Sequence, residues 1–210
     1  MIKHIIFDFN GTIINDVDLC LNLLNDILIK QGSTTISLER YKEVFKFPIK
    51  QYYIDAGVDF TKDSFEDLAV DFINKYQPAS FKCGLFDGTV ETIKYLREKG
   101  IKTYILSASE KNNLLEQCNV YGLCDLFDAI LGIDNIHAGG KVEIAIEYMK
   151  KANIDPNEVL FIGDTLHDYE VSKAIGSHCY LVSCGHQAVS LLKKANVKIL
   201  SKISDLKNIF

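Results

Sequence analysis

Four short stretches carry side chains able to act on an anion or a hard cation. Asp8-Phe9-Asn10-Gly11-Thr12 sets a carboxylate before a glycine-containing turn. At the mouth of a strand, free backbone N–H groups beside such a carboxylate can hold an anion. The same residues also make an ordinary loop. Ser107-Ala108-Ser109 follows the apolar run Tyr104-Ile105-Leu106 and is again polar at its carboxyl end, although serine there also caps helices. Gly139-Gly140-Lys141 puts a cation at a helix start, where the macrodipole disfavours it. A lysine set against its local preference points to an anion. Gly163-Asp164-Thr165-Leu166-His167-Asp168 ends the run Val159–Ile162 with two carboxylates placed to share a divalent metal.

These stretches need a scaffold that brings strand ends together. Near-continuous apolar runs predict strands at Lys3–Phe9, Lys102–Leu106, Ala129–Leu131, Val159–Ile162 and His178–Val182. Helical patterns fall between them at Thr89–Lys99, Lys111–Gln117, Lys141–Ala152, Leu166–Ala174 and Gln187–Ala195. The alternation predicts an α/β fold, a Rossmann-like doubly wound parallel sheet with ligands at the carboxyl ends of its strands. One region breaks the pattern. Residues 15–80 show helical periodicity without a strand, through Leu19, Leu23, Leu24, Ile27 and Leu28, then Leu38–Phe45, Ile49–Asp55 and Lys62–Tyr76. That is too much helix for one crossover, so it reads as an inserted helical subdomain, leaving 1–14 and 81–210 as the core. Hinges are expected near Ile13–Asn15 and Ala79–Cys83.

Composition narrows the function classes. The chain has 210 residues, 48% hydrophobic and 24% charged, which excludes a disordered or fibrous protein. Its formal net charge is −5, and no basic stripe suggests a nucleic-acid or anionic-membrane partner. No apolar run reaches the ~18–20 residues that span a bilayer. The N-terminal Met-Ile-Lys-His-Ile-Ile-Phe-Asp meets a carboxylate too early for a secretory segment, so the expected location is cytoplasmic. Six scattered cysteines without a C-x-x-C pair read as reduced thiols. A monomer or a homodimer is expected.

In their order and spacing, the four stretches resemble the haloacid dehalogenase superfamily, mostly phosphatases, over essentially the whole chain. Asp8-x-x-Gly11-Thr12 matches the nucleophile motif, Ser107 the strand-end hydroxyl and Lys141 the lysine motif. Gly163-Asp164-x-x-x-Asp168 matches the acidic metal motif. The helical insertion lies where this superfamily places a cap. Gly84-Leu85-Phe86-Asp87-Gly88-Thr89 resembles the core re-entry segment of its phosphoglycolate-phosphatase-like branch. The resemblance implies hydrolysis of a small phosphorylated metabolite through an aspartyl-phosphate on Asp8. It implies Mg²⁺ held by the Asp8 carboxylate, the Asn10 carbonyl and Asp164, with Asp168 in support. Asn10, Gly11, Ser107, Ala108 and Lys141 would surround the phosphoryl group, Ser107 and Lys141 binding its oxygens.

Two departures stand out. Val142 replaces the proline that commonly follows the motif lysine. Asn10 stands where the family's phosphatases usually carry an aspartate acting as general acid and then base. Asparagine cannot transfer a proton, and such help is typically worth ~10²–10⁴ in rate. Three readings follow. The leaving group needs no proton, as with acyl or aryl phosphates; another group serves, His167 and His186 being candidates; or the protein binds phosphorylated ligands with little turnover. A phosphonatase-like C–P hydrolase would instead use a cap lysine as an amine nucleophile. The cap segment Phe45-Lys46-Phe47-Pro48-Ile49-Lys50-Gln51-Tyr52-Tyr53 offers two, and Lys46 or Lys50 is expected to face the cleft near Asp8.

Overall fold

Successive residues of the central strand feed opposite faces of one sheet. Ile5 and Phe7 pack with Ile105, Leu160 and Ile162, while Ile6 packs with Tyr104, Leu106 and Phe161 on the other side. This two-residue period gives the sheet two apolar faces, and each large side chain so buried contributes roughly 1.5–3 kcal/mol. The computed structural model describes residues 1–134 and 140–210; Gly139 of the third stretch lies outside the described residues.

The six strands are β1 (His4–Phe7), β2 (Lys102–Glu110), β3 (Ala129–Ile133), β4 (Val159–Gly163), β5 (His178–Val182) and β6 (Lys198–Leu200). All pair in parallel, in the order β3-β2-β1-β4-β5-β6. From β1 the chain winds one way through β2 and β3, then returns to place β4 on the other side of β1. The crevice outside the ends of β1 and β4 is therefore the topological switch point, where open α/β sheets bind ligands. Helices α5 (Thr89–Glu98), α6 (Lys111–Val120), α7 (Lys141–Lys151), α8 (Leu166–Ala174) and α9 (Val189–Leu192) form the remaining layers. The sequence pattern overlooked β6, which is only three residues long.

Between β1 and β2 lie α1 (Val17–Lys30), α2 (Leu38–Val44), α3 (Ile49–Ala56) and α4 (Phe65–Ser80). They share a core of their own, with Leu24, Leu28, Tyr41, Phe45, Tyr52 and Leu68 buried together. Two antiparallel linkers join this core to the sheet. Asn15 N donates to Gly84 O at 3.0 Å, and Phe86 N donates to Ile13 O at 3.1 Å. The helices also dock on the loop after β5. Ala188 N donates to Lys42 O at 2.9 Å, and Gln187 Nε2 donates to Phe45 O at 2.8 Å. Among the described residues, no helix is long and apolar enough to cross a membrane.

Candidate active site

The ends of β1 and β4 deliver Asp8 and Asp164 to the switch point, and α8 adds Asp168 one turn later. Oxygens of all three buried carboxylates lie within 4.8 Å of one another. Lys141, the first residue of α7, is buried against them; its Nζ donates to Asp8 Oδ1 at 2.5 Å and to Asp168 Oδ1 at 2.8 Å. Burial works against this ammonium, but Asp168 and Asp8 outweigh it and raise its pKa. One ammonium against three carboxylates leaves two uncompensated negative charges. The cost falls on Asp8, raised well above its ordinary value by burial, and on Asp164, raised by burial to about 6. Asp168 stays low because Lys141 and Thr165 outweigh its burial.

This donor set fits Mg²⁺. The ligand atoms are hard carboxylate oxygens, and the excess charge of the cluster equals that of a divalent cation. The site is also held in shape. Asp164 accepts from Thr12 Oγ1 at 3.1 Å and from His186 N at 2.6 Å. Asp168 completes the capping box of α8 by accepting from Thr165 N at 3.1 Å, so one carboxylate caps a helix and faces the cluster. Gly11 has φ +70, and a Cβ there would run into the Asp164 carboxylate and the His186 ring.

Asn10 lies two residues after Asp8 with its side chain fully engaged. Its Nδ2 donates to Asp16 Oδ2 at 2.9 Å and to Tyr76 Oη at 2.6 Å. Its Oδ1 accepts from Ser107 Oγ at 3.4 Å and from Ser109 Oγ at 3.3 Å. Asp16, Tyr76 and His186 form the rest of this buried network. Asp16 accepts from Gly11 N at 2.9 Å and from Tyr76 Oη at 2.7 Å, and His186 Nε2 lies 3.2 Å from it. Burial would push the Asp16 carboxyl up, but His186, Tyr76 and Asn10 hold it below its ordinary value. The other His186 nitrogen lies 2.7 Å from Tyr41 Oη, and the ring stacks on Phe45 at 4.7 Å.

Asp8, Asn10, Ser107, Ala108, Lys141, Asp164 and Asp168 all line one cavity of about 450 Å³. Gly11 lies just beneath, against Asp164. His186 lines the cavity, whereas the His167 ring lies tilted against Phe47, with centroids 4.5 Å apart. The two lysines expected to face the cleft are a correction. Lys46 forms an ion pair with Asp55, and Lys50 lies 5.5 Å over the Phe60 ring; neither lines the cavity. Their neighbours do, because Phe45, Phe47, Ile49, Tyr52 and Tyr53 turn inward while the lysines turn out.

Asp16 and Tyr76 were not identified from the sequence. Asp16 occupies the N-cap position of α1 and reads as an ordinary cap, yet its side chain makes no cap bond. Tyr76 reaches it from 60 residues away on α4.

The comparisons with known proteins agree with this geometry. A family model described as haloacid dehalogenase-like hydrolase matches residues 5–182. The phosphoglycolate phosphatase 1 of Pseudomonas aeruginosa is 20% identical over 214 aligned positions, covering 97% of this chain and 78% of that protein. The pyrophosphatase PpaX of Bacillus pumilus is 22% identical over 212 positions, covering 98% of this chain and 94% of its own length. A haloacid dehalogenase-like hydrolase from Streptococcus pneumoniae has the same fold, with a TM-score of 0.83 at 16% identity, over 100% of this chain and 98% of that one. A match that runs from the first strand through the fifth places the chain in the haloacid dehalogenase-like hydrolase family.

Proposed function

We propose that this protein is a Mg²⁺-dependent phosphatase of a small phosphorylated metabolite, working through an aspartyl-phosphate on Asp8. The observation that carries this reading is Lys141 Nζ bonded to both Asp8 and Asp168 inside a buried three-carboxylate cluster. A lysine so placed holds the nucleophile and supplies positive charge where a phosphoryl group arrives. Phosphatases among the relatives, including the phosphoglycolate phosphatase of Pseudomonas aeruginosa, support it.

In this reading Asp8 attacks phosphorus in line, and Ser107 and Lys141 bind phosphoryl oxygens. Asp8, the Asn10 carbonyl and Asp164 would hold Mg²⁺, with Asp168 in support. When bound, the ion would offset repulsion between the carboxylate and the phosphate dianion. Helices α1 to α4, within 15–80, act as the cap. Asn10 favours a second reading, a phosphometabolite-binding protein with little turnover. Its amide holds the place beside Asp8 without a transferable proton.

A panel of sugar, acyl and aryl phosphates assayed with and without Mg²⁺ separates the two. Magnesium-dependent release of inorganic phosphate from at least one class is expected. Binding of phosphate esters without release from any class would leave only the binding protein.

A further inference from the structure

The halves of the cavity differ in what they can recognise. Its floor is charged, with Asp8, Lys141 and Asp164, whereas its roof is mostly apolar, including Phe45, Phe47, Tyr52, Phe65, Phe72 and Ile73 with Gln77 beside them. The rings form a continuous wall, with Phe45 and Tyr52 centroids 5.0 Å apart and Tyr52 and Tyr53 5.2 Å apart. Burial raises both tyrosine phenols, which keeps them neutral. Among the described residues, Lys141 and His186 are the only cationic groups lining the space, and both are engaged with floor carboxylates. Glu110 lines it too and would repel a second anion.

A buried charge without a partner is costly, so this roof disfavours a carboxylated or doubly phosphorylated tail. The volume of about 450 Å³ holds some fifteen waters at roughly 30 Å³ each, far more than a bare phosphate needs. Phe47 and Ile73 line the cavity while staying 40% and 48% exposed, so its mouth is apolar as well. Such a wall suits a flat apolar ring.

A separate observation converges on the same chemistry. Asn10 cannot give the leaving oxygen a proton. An aryl oxygen leaves without one, since a phenol has a pKa near ~10, whereas hydroxyls resembling water, at ~16, do not.

We infer that the site takes phosphate monoesters of aromatic hydroxyl compounds, with the ring against the roof. This rests on the phosphatase reading above and names its substrate class. A bond forms between Asp8 and phosphorus as the bond from phosphorus to the aryl oxygen breaks. The electron pair leaves on the phenolate, which takes a proton from solvent. Water then bonds to phosphorus, the bond from phosphorus to Asp8 breaks, and the surplus proton passes to solvent.

Calorimetry with Mg²⁺ and four probes tests this: inorganic phosphate, methylphosphonate, phosphonoacetate and naphthylmethylphosphonate. The naphthyl compound should bind at least about tenfold more tightly than methylphosphonate, or ~1.4 kcal/mol. Phosphonoacetate should gain nothing, and Ile73→Asp should shrink the naphthyl-to-methyl ratio. Equal affinities for the naphthyl and methyl compounds, or tightest binding of phosphonoacetate, would overturn the inference while leaving the phosphatase reading standing. Failure of inorganic phosphate and every phosphonate to bind would overturn the phosphatase reading and this inference with it.

Discussion

On the floor of the cavity the side chains are committed to one another, while the roof presents Phe45, Phe47, Phe65 and Phe72, whose rings carry no polar group. Asp8 and Asp168 share Lys141, Asp164 accepts from Thr12 and His186, and Asn10 is bonded by both of its side-chain ends. The wall from α2, α3 and α4 offers rings, and its lysines lie on the outer surface with Asp55 and Phe60. A saturated polar network is rigid and tolerates little change, because each lost partner leaves a buried group unpaired. A wall of rings can change in size and shape without breaking such bonds. In the proposed reading the floor fixes the reaction, and the roof fixes what is brought to it.

The largest effect expected on the floor comes from restoring the missing acid. Asn10→Asp should raise steady-state turnover of alkyl phosphates by ~10²–10⁴, the range for general acid–base help. Comparing kcat/KM on one sugar phosphate checks this. Unchanged or lower turnover in a folded variant would show that another group, such as the cavity-lining His186, or the type of substrate already solves the protonation problem.

Removing the shared cation comes next. Lys141→Met leaves Asp8 and Asp168 buried without their partner, and breaking such a pair typically costs ~3–5 kcal/mol. Urea unfolding should show that loss without metal and a smaller one with Mg²⁺. Identical loss in both conditions would count against a shared cation site.

A moderate effect should follow from pH. The Asp164 carboxyl is raised from 3.8 to about 6, so the folded metal-free protein takes up this proton more readily than the unfolded chain. Its contribution to stability is present below about pH 4 and is lost as pH rises through about 6. Mg²⁺ competes with the same proton and has the opposite dependence. The gain in Tm from Mg²⁺ should be larger at pH 7 than at pH 5, and equal gains would contradict the assignment. The smallest effect belongs to the outer surface of the roof. Lys46→Met and Lys50→Met should each change stability by ~0.5 kcal/mol or less and leave KM unmoved.

What could be read in advance follows the same division. β1 and β4 were legible because strands buried on both faces are runs of Ile, Leu, Val and Phe, and their ends locate Asp8 and Asp164. Lys141 was legible as a cation set against a helix dipole. Tyr76 was not, because its partner lies across 60 residues and nothing local marks the meeting. The segment 45–53 was half legible. Phe45, Lys46 and Phe47 are consecutive, and only the packing of α2 on the loop after β5 decides which of them faces inward.

The most direct test of phosphoryl transfer to Asp8, with residue 10 unable to activate water, is an acid quench during turnover of naphthyl phosphate with Mg²⁺. Mass measurement of the peptide containing Asp8 then reads the covalent state. The expected result is a large phosphorylated fraction at Asp8 that falls sharply in Asn10→Asp, as the restored carboxylate speeds hydrolysis. An unmodified Asp8 peptide during continuing turnover, or phosphate on a different residue, would contradict it.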